Sequence, residues 1–184
     1  MSVFVGVDQA LRKLGVAVIV DGQMAVLTAP QTPEKLKGAP RLAWLSATLR
    51  SILKPYTHAD ATALEGQSFG SISREGALGE ISGVVQVVLL ELYKEPPLVV
   101  PPTTLKRFVT GSGNATKKIM RRATMQYWGL DIPNDDCCDA HGLARFAEAH
   151  YTSSARLKHQ VDVIRKFNNP KRRNARRVPS PTNI

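Results

Sequence analysis

The stretch "SVFVGVDQALRKLGVAVIVDGQMAVLTA", residues 2–29, decides the fold. Within it, "SVFVGV" (2–7) and "GVAVIV" (15–20) are short, apolar and rich in β-branched residues, the composition of buried strands. Asp21-Gly22 separates the second run from "QMAVLTA" (23–29), and an Asp-Gly pair between apolar runs is a strong hairpin signal. Three successive strands therefore predict an antiparallel meander. Further along, "RLAWLSATLRSIL" (41–53) repeats its apolar residues near every 3.6 positions, as a helix does. "ATALEG" (61–66) reads as a strand ending at Glu65, and residues 73–93 as a long helix, strongly apolar after Ile81. "PLVVP" (97–101) predicts a buried strand, and residues 117–128 and 136–150 two more helices. The order βββαβαβαα predicts an α/β layer fold, and no internal repeat is visible.

A chain of 184 residues with 43% hydrophobic content suits one domain with a full core. The net charge is +10, unevenly spread. From Arg165 onward there are seven Lys/Arg and no acid, which leaves +3 on residues 1–164. The expected division is a folded domain over 1–164 and a basic tail over 165–184. The tail has too few apolar residues to fold alone and suits phosphate contacts. The run "VVQVVLLEL" (84–92) is short and interrupted by Gln86 and Glu91, and the N-terminus lacks the basic region of a signal peptide. The adjacent Cys137 and Cys138 cannot staple distant segments, which fits a reducing compartment. These features predict a cytoplasmic protein without a membrane partner, in the host cytoplasm should the chain be phage-encoded.

The acids stand at unusual positions for so basic a chain. Asp8 directly follows an apolar strand, and Glu65 ends another. "NDDCCDAHGLARFAEAH" (134–150) crowds Asp135, Asp136 and Asp139 into the start of a late helix. Strand ends and a helix packed across them can bring such side chains to one edge of a sheet. Carboxylates gathered there repel unless hard divalent cations, Mg²⁺ with Mn²⁺ able to substitute, neutralise them. Two such ions about 3.5–4 Å apart clamp a phosphodiester for in-line attack. Helical spacing does not select among the three aspartates, since i,i+3 and i,i+4 neighbours share a face. The bland alternative is that all three cap and solvate the helix. Cys137 and His141 stand i,i+4 but lack a second ligand pair for zinc, so small buried thiols are expected instead.

Four blocks, "VFVGVDQALRKLGVAVI" (3–19), "ALEGQSFG" (63–70), "TTLKRFVTGSGNATKKIM" (103–120) and "DDCCDAHGLARFA" (135–147), resemble the signature blocks of RuvC-type Holliday junction resolvases. They occur in that family's order and at its spacing. The resemblance implies a ribonuclease-H-like α/β fold: a five-stranded mixed sheet, its first three strands antiparallel, flanked by helices. It also implies a metal-dependent, structure-selective endonuclease that resolves four-way DNA junctions by paired symmetric hydrolysis.

On that resemblance Asp8, Glu65, Asp136 and Asp139 hold the metal, and Asp135 is the extra acid, left to cap the helix. Lys106 and Lys117 match basic positions near the scissile phosphate, where lysine stabilises developing charge; Lys118 stands beside the second. Phe69 is the candidate to stack on junction bases, although one more residue separates it from Glu65 than in the family's pattern, and packing under its own loop is the alternative. Arg74, Lys118, Lys171, Arg172 and Arg173 are candidate DNA contacts. The family's homodimer forms through the region 73–93, with a helix buried inside one chain as the alternative. A further departure is Ala10 in "DQA", where the family carries glycine; with Leu11 it also fails to supply the phosphate turn of actin-like ATPases. Two other readings stay open: a related ribonuclease-H-like nuclease acting on forks, flaps or RNA, and a junction-binding architectural protein without catalysis.

Overall fold

A computed structural model describes residues 1–66 and 72–169, and side chains outside 72–75. Phe69, Lys171, Arg172 and Arg173 therefore lie outside the described residues, as does the side chain of Arg74.

The described residues form five strands, β1 (Val3–Gln9), β2 (Leu14–Val20), β3 (Gln23–Thr28), β4 (Ala61–Glu65) and β5 (Leu98–Val100), joined in one sheet in the order β3-β2-β1-β4-β5. β1 pairs antiparallel with β2, and β2 with β3; β4 joins β1 and β5 in parallel. The meander is as expected. Its turn at Asp21 and Gly22 has φ of 48° and 79°, both left-handed, the geometry of a type I′ hairpin.

Among the described residues, six helices cover the two faces: α1 (Gly38–Leu53), α2 (Ile72–Tyr93), α3 (Pro102–Thr110), α4 (Lys117–Trp128), α5 (Asp135–Thr152) and α6 (Lys158–Asn168). Side chains alternate across a strand with period two, and the sequence obeys this closely. Val3, Val5 and Val7 of β1 join Leu14, Val16, Val18 and Leu64 in a core with α1 and α2. Phe4 with Ala17, Ile19 and Ala63 faces the other way, into a core with α3, α4, α5 and α6. By the same alternation, Asp8 and Glu65 fall on the α5 side of the sheet.

That face is built from small residues, and α5 lies unusually close to it. A Cβ on Gly6 would stand 2.1 Å from the carbonyl oxygen of Ala140, and one on Gly15 would stand 2.4 Å from that of Asp136. Glycine in these strands marks the close approach of another backbone. α5 is consequently buried nearly all round, with Phe146 packed edge-on against both Phe108 and Phe167.

Three expectations are revised. α3 and α6 are not among the expected helices, although Leu105, Phe108 and Val109 of α3 and Val163, Ile164 and Phe167 of α6 recur at helical spacing; α3 spans only nine residues beginning at Pro102. β5 is not buried throughout: it is a sheet edge, and Val99 is 44% exposed. The boundary drawn after residue 164 falls inside α6, and Phe167 packs on Phe146, so the described fold runs through that position.

Gly76–Tyr93 of α2 is long and apolar enough to pass for a membrane span by composition. Ile81, Val85, Val88 and Leu89 are nevertheless buried in the second core, while Val87 and Leu90 remain exposed on the other side of the helix.

Candidate active site

The register that pairs Val7 with Leu64 puts Asp8 and Glu65 next to each other at the ends of β1 and β4. Gln9 fastens the two strand ends, its Nε2 donating to the backbone oxygen of Glu65 at 3.0 Å. α5 crosses this edge with its N-terminus, so its first turns bring Asp136 and Asp139 to the same place.

The electrostatics record that convergence. Burial pushes the Asp8 carboxyl well above the usual carboxylate range, and Glu65, Asp139 and Asp136 add repulsion. Glu65 is raised to about 7, by burial first and then by Asp139, against the lowering effects of a hydrogen bond shared with Asp8 and of Lys106. Asp139 rises to about 6, chiefly by burial, with Lys117 and Lys106 pulling the other way. The structure thus brings together Asp8, Glu65, Asp136, Asp139, Lys106 and Lys117. Lys118 follows Lys117 in the first turn of α4 and is exposed.

As the side chains stand, no three of the described His, Cys, Asp and Glu residues close to metal-holding geometry. The donor set nonetheless fits hard cations. It offers carboxylate oxygens from three elements, most of them desolvated and raising one another's pKa, the situation that a divalent cation relieves. It does not fit zinc: Cys137 and Cys138 are buried, and the Nε2 of His141 accepts from Arg145 at 3.2 Å.

Asp135 has a different role from the one expected. Asn134 caps α5, its Oδ1 accepting from the Cys137 N–H at 3.1 Å. Asp135 instead receives Arg121 through Nε and Nη2 at 2.8 and 2.6 Å, and Lys117 at 3.0 Å. Burial alone would raise its pKa, but the bonds from Lys117 and Arg121 outweigh this and hold it below the usual value. Lys117 is raised in turn, first by its hydrogen bond to Asp135. Sequence reading missed Arg121, and also Lys13, whose Nζ sits 3.0 Å from Asp136 Oδ2. The basic run "KKIMRR" could have suggested the first.

An open cleft of ≈ 450 Å³ runs beside the acids, lined by Ala10, Arg12, Lys13, Lys117, Arg121 and Asp136 among others. A more enclosed cavity of ≈ 370 Å³, walled by Tyr127, Trp128 and Arg145, lies toward the other end of α5 and is separate from this chemistry.

A five-stranded sheet in this order, with acids at the ends of β1 and β4 and on a helix crossing them, defines a ribonuclease-H-like fold. No protein-family model matches the chain. It is 27% identical over 146 residues to the crossover junction endodeoxyribonuclease RuvC of Prochlorococcus marinus strain NATL1A, covering 76% of this chain and 94% of that protein. It is 29% identical over 145 residues to the protein of the same name from Synechococcus sp. strain CC9605, covering 76% and 93%. Among solved structures, it matches Thermus thermophilus RuvC in complex with a Holliday junction substrate at a TM-score of 0.68 and 22% identity, over 78% of this chain and 91% of that one. A second Thermus thermophilus RuvC structure matches at a TM-score of 0.65. The chain is RuvC-like in sequence and in fold.

Proposed function

We propose that this chain is a divalent-metal-dependent endonuclease that resolves Holliday junctions by paired, symmetric hydrolysis. The observation that carries the proposal is the meeting of Asp8, Glu65, Asp136 and Asp139 at one sheet edge, in a chain similar along most of its length to proteins named crossover junction endodeoxyribonuclease.

Asp8, Glu65, Asp136 and Asp139 would hold Mg²⁺, with Mn²⁺ able to substitute. Bound cations would supply Lewis-acid stabilisation of the phosphoryl oxygens and help present water for attack. The chain's own residues do the rest. Gln9 holds the ends of β1 and β4 together, and with them the carboxyls of Asp8 and Glu65. Lys117, steadied by Asp135, and Lys106 from α3 supply positive charge where the phosphate must sit. Hydrolysis breaks one phosphorus–oxygen bond in each of two strands, which asks for two sites related by symmetry. The exposed Val87 and Leu90 on α2 favour a homodimer through that helix. Arg74 in α2, Phe69 before it, Lys118, and the tail residues Lys171, Arg172 and Arg173 remain the proposed DNA contacts.

The test is cleavage of a synthetic four-way junction with each strand end-labelled, in Mg²⁺ and in chelator. Paired nicks at symmetric positions, only with metal, are expected. Binding without nicking would point to the architectural reading, and cleavage of flaps or forks with junctions spared to a related nuclease.

A further inference from the structure

Asp136 differs from the other three proposed ligands in one respect. Among the described ion pairs, it alone of the four already carries a direct salt bridge, to Lys13 at 3.0 Å. The pair is partly shielded, with the Lys13 side chain 42% and the Asp136 side chain 21% exposed.

The lysine does not reach this position by a loose surface swing. Its backbone closes the β1–β2 connection, where the Ala10 N–H donates to the Lys13 carbonyl at 3.0 Å. On the other side Lys13 forms a bridge with Gln31, and the flanking Thr32 N–H and Leu14 N–H donate to Arg12 and Pro30 at 2.9 and 3.1 Å. The stem therefore starts from a backbone pinned on both flanks, beside the closely packed Gly15 and Asp136 backbones. Arg12, next in sequence, pairs instead with the exposed Glu34 at 3.1 Å.

We propose that Lys13 is a tethered counter-cation that competes with the divalent metal for Asp136, and so makes metal binding at that carboxylate weaker and dependent on the lysine's displacement. The inference rests on the metal-dependent reading above. An ammonium bonded to a carboxylate oxygen neutralises it and occupies one of its lone-pair directions, and a divalent cation taking that carboxylate must displace or repel the ammonium. The carboxylates of Asp8, Glu65 and Asp139 carry no such direct bridge among the described residues: Lys106 and Lys117 act on Glu65 and Asp139 through space, and no bonded ammonium has to leave those oxygens for a metal to take them. Lys13 is a positioning residue in this scheme, because it acts through Asp136.

The test is calorimetric titration of Mn²⁺ into the full chain without DNA, comparing wild type with Lys13→Met, Lys13→Gln and Lys13→Arg, each checked for an unchanged circular dichroism spectrum. Losing the competing charge should tighten Mn²⁺ binding about tenfold or more in Lys13→Met and Lys13→Gln, the scale of one close charge–charge interaction at a partly exposed site. Lys13→Arg should retain the wild-type isotherm. Adding Asp136→Asn to Lys13→Met should abolish the gain, which a general effect on folding would not do. Superimposable isotherms for wild type and both neutral variants overturn the role of Lys13 and leave the metal reading standing. Absence of Mn²⁺ binding in every protein overturns both.

Discussion

Glu65 shows how much one residue gives up for chemistry. Its pKa is raised to about 7 from 4.5, mainly because burial penalises the charge. A carboxyl raised in this way contributes stability that is fully present below its unfolded pKa and is lost as pH rises through its folded one. The window runs from about pH 4.5 to above 7, and the whole cost stands at pH 8: up to ~3 kcal/mol at ~1.4 kcal/mol per unit. In chelator, Glu65→Gln should therefore raise Tm by several degrees at pH 8 and leave it nearly unchanged at pH 4, while junction cleavage in Mg²⁺ is lost. Equal shifts at both pH values would show that the gain is not electrostatic. Asp135 makes a second case. Because it holds Lys117 and Arg121, Asp135→Asn should slow single-turnover cleavage about tenfold, in the range expected for a supporting group. Asp136→Asn should remove cleavage altogether. Equal loss in both would overturn the distinction between them.

At the scale of elements, α5 and the sheet work as a unit. The helix brings two acids to two strand ends only because Gly6 and Gly15 let its backbone settle onto β1 and β2. Ala at position 6 meets the carbonyl oxygen of Ala140, a backbone atom that cannot swing aside. Gly6→Ala should destabilise the protein by about 3 kcal/mol or more, read from denaturant unfolding. Gly15→Ala pushes on the backbone of Asp136 itself, so its cleavage rate should fall by a larger factor than its loss of stability explains. If stability and cleavage were both unaffected, α5 would not be held where the acids need it.

At the scale of the whole molecule, the proposal gives the exposed face of α2 and the basic tail the task of meeting a branched substrate. Val87 is 53% and Leu90 44% exposed on an otherwise core-packed helix. Val87→Glu combined with Leu90→Glu should shift the protein to monomer in sedimentation velocity and abolish paired nicking, leaving circular dichroism unchanged. A dimer surviving both charges would move the interface elsewhere. Deleting residues 170–184 removes Lys171, Arg172, Arg173, Arg176 and Arg177. If these meet duplex phosphates, the slope of log K against log salt should shrink by up to about 4–5, at about 0.9 per phosphate. Preference for four-way junctions over duplex should survive, since phosphate contacts position without specifying. An unchanged slope would make the tail a bystander.

The sequence by itself determined the strand meander, the order of elements around it and the acids at its ends. Each of these follows from short-range signals: β-branched runs, an Asp-Gly turn, and carboxylates where an apolar run stops. Lys106 and Lys117 were legible only through resemblance, because an isolated lysine has no local signature. The tertiary structure alone decided that Asn134, not Asp135, caps α5, and that Asp135 serves Lys117 and Arg121. It alone paired Lys13 with Asp136, across more than a hundred residues of chain. It also turned Gly6 and Gly15 from weak points in strands into the seats of α5. The physical reason is common to all of these. Periodicity reports which face a residue turns to its own element's surroundings, whereas a salt bridge or a backbone approach depends on which distant element fills that space, and only the packed chain specifies that.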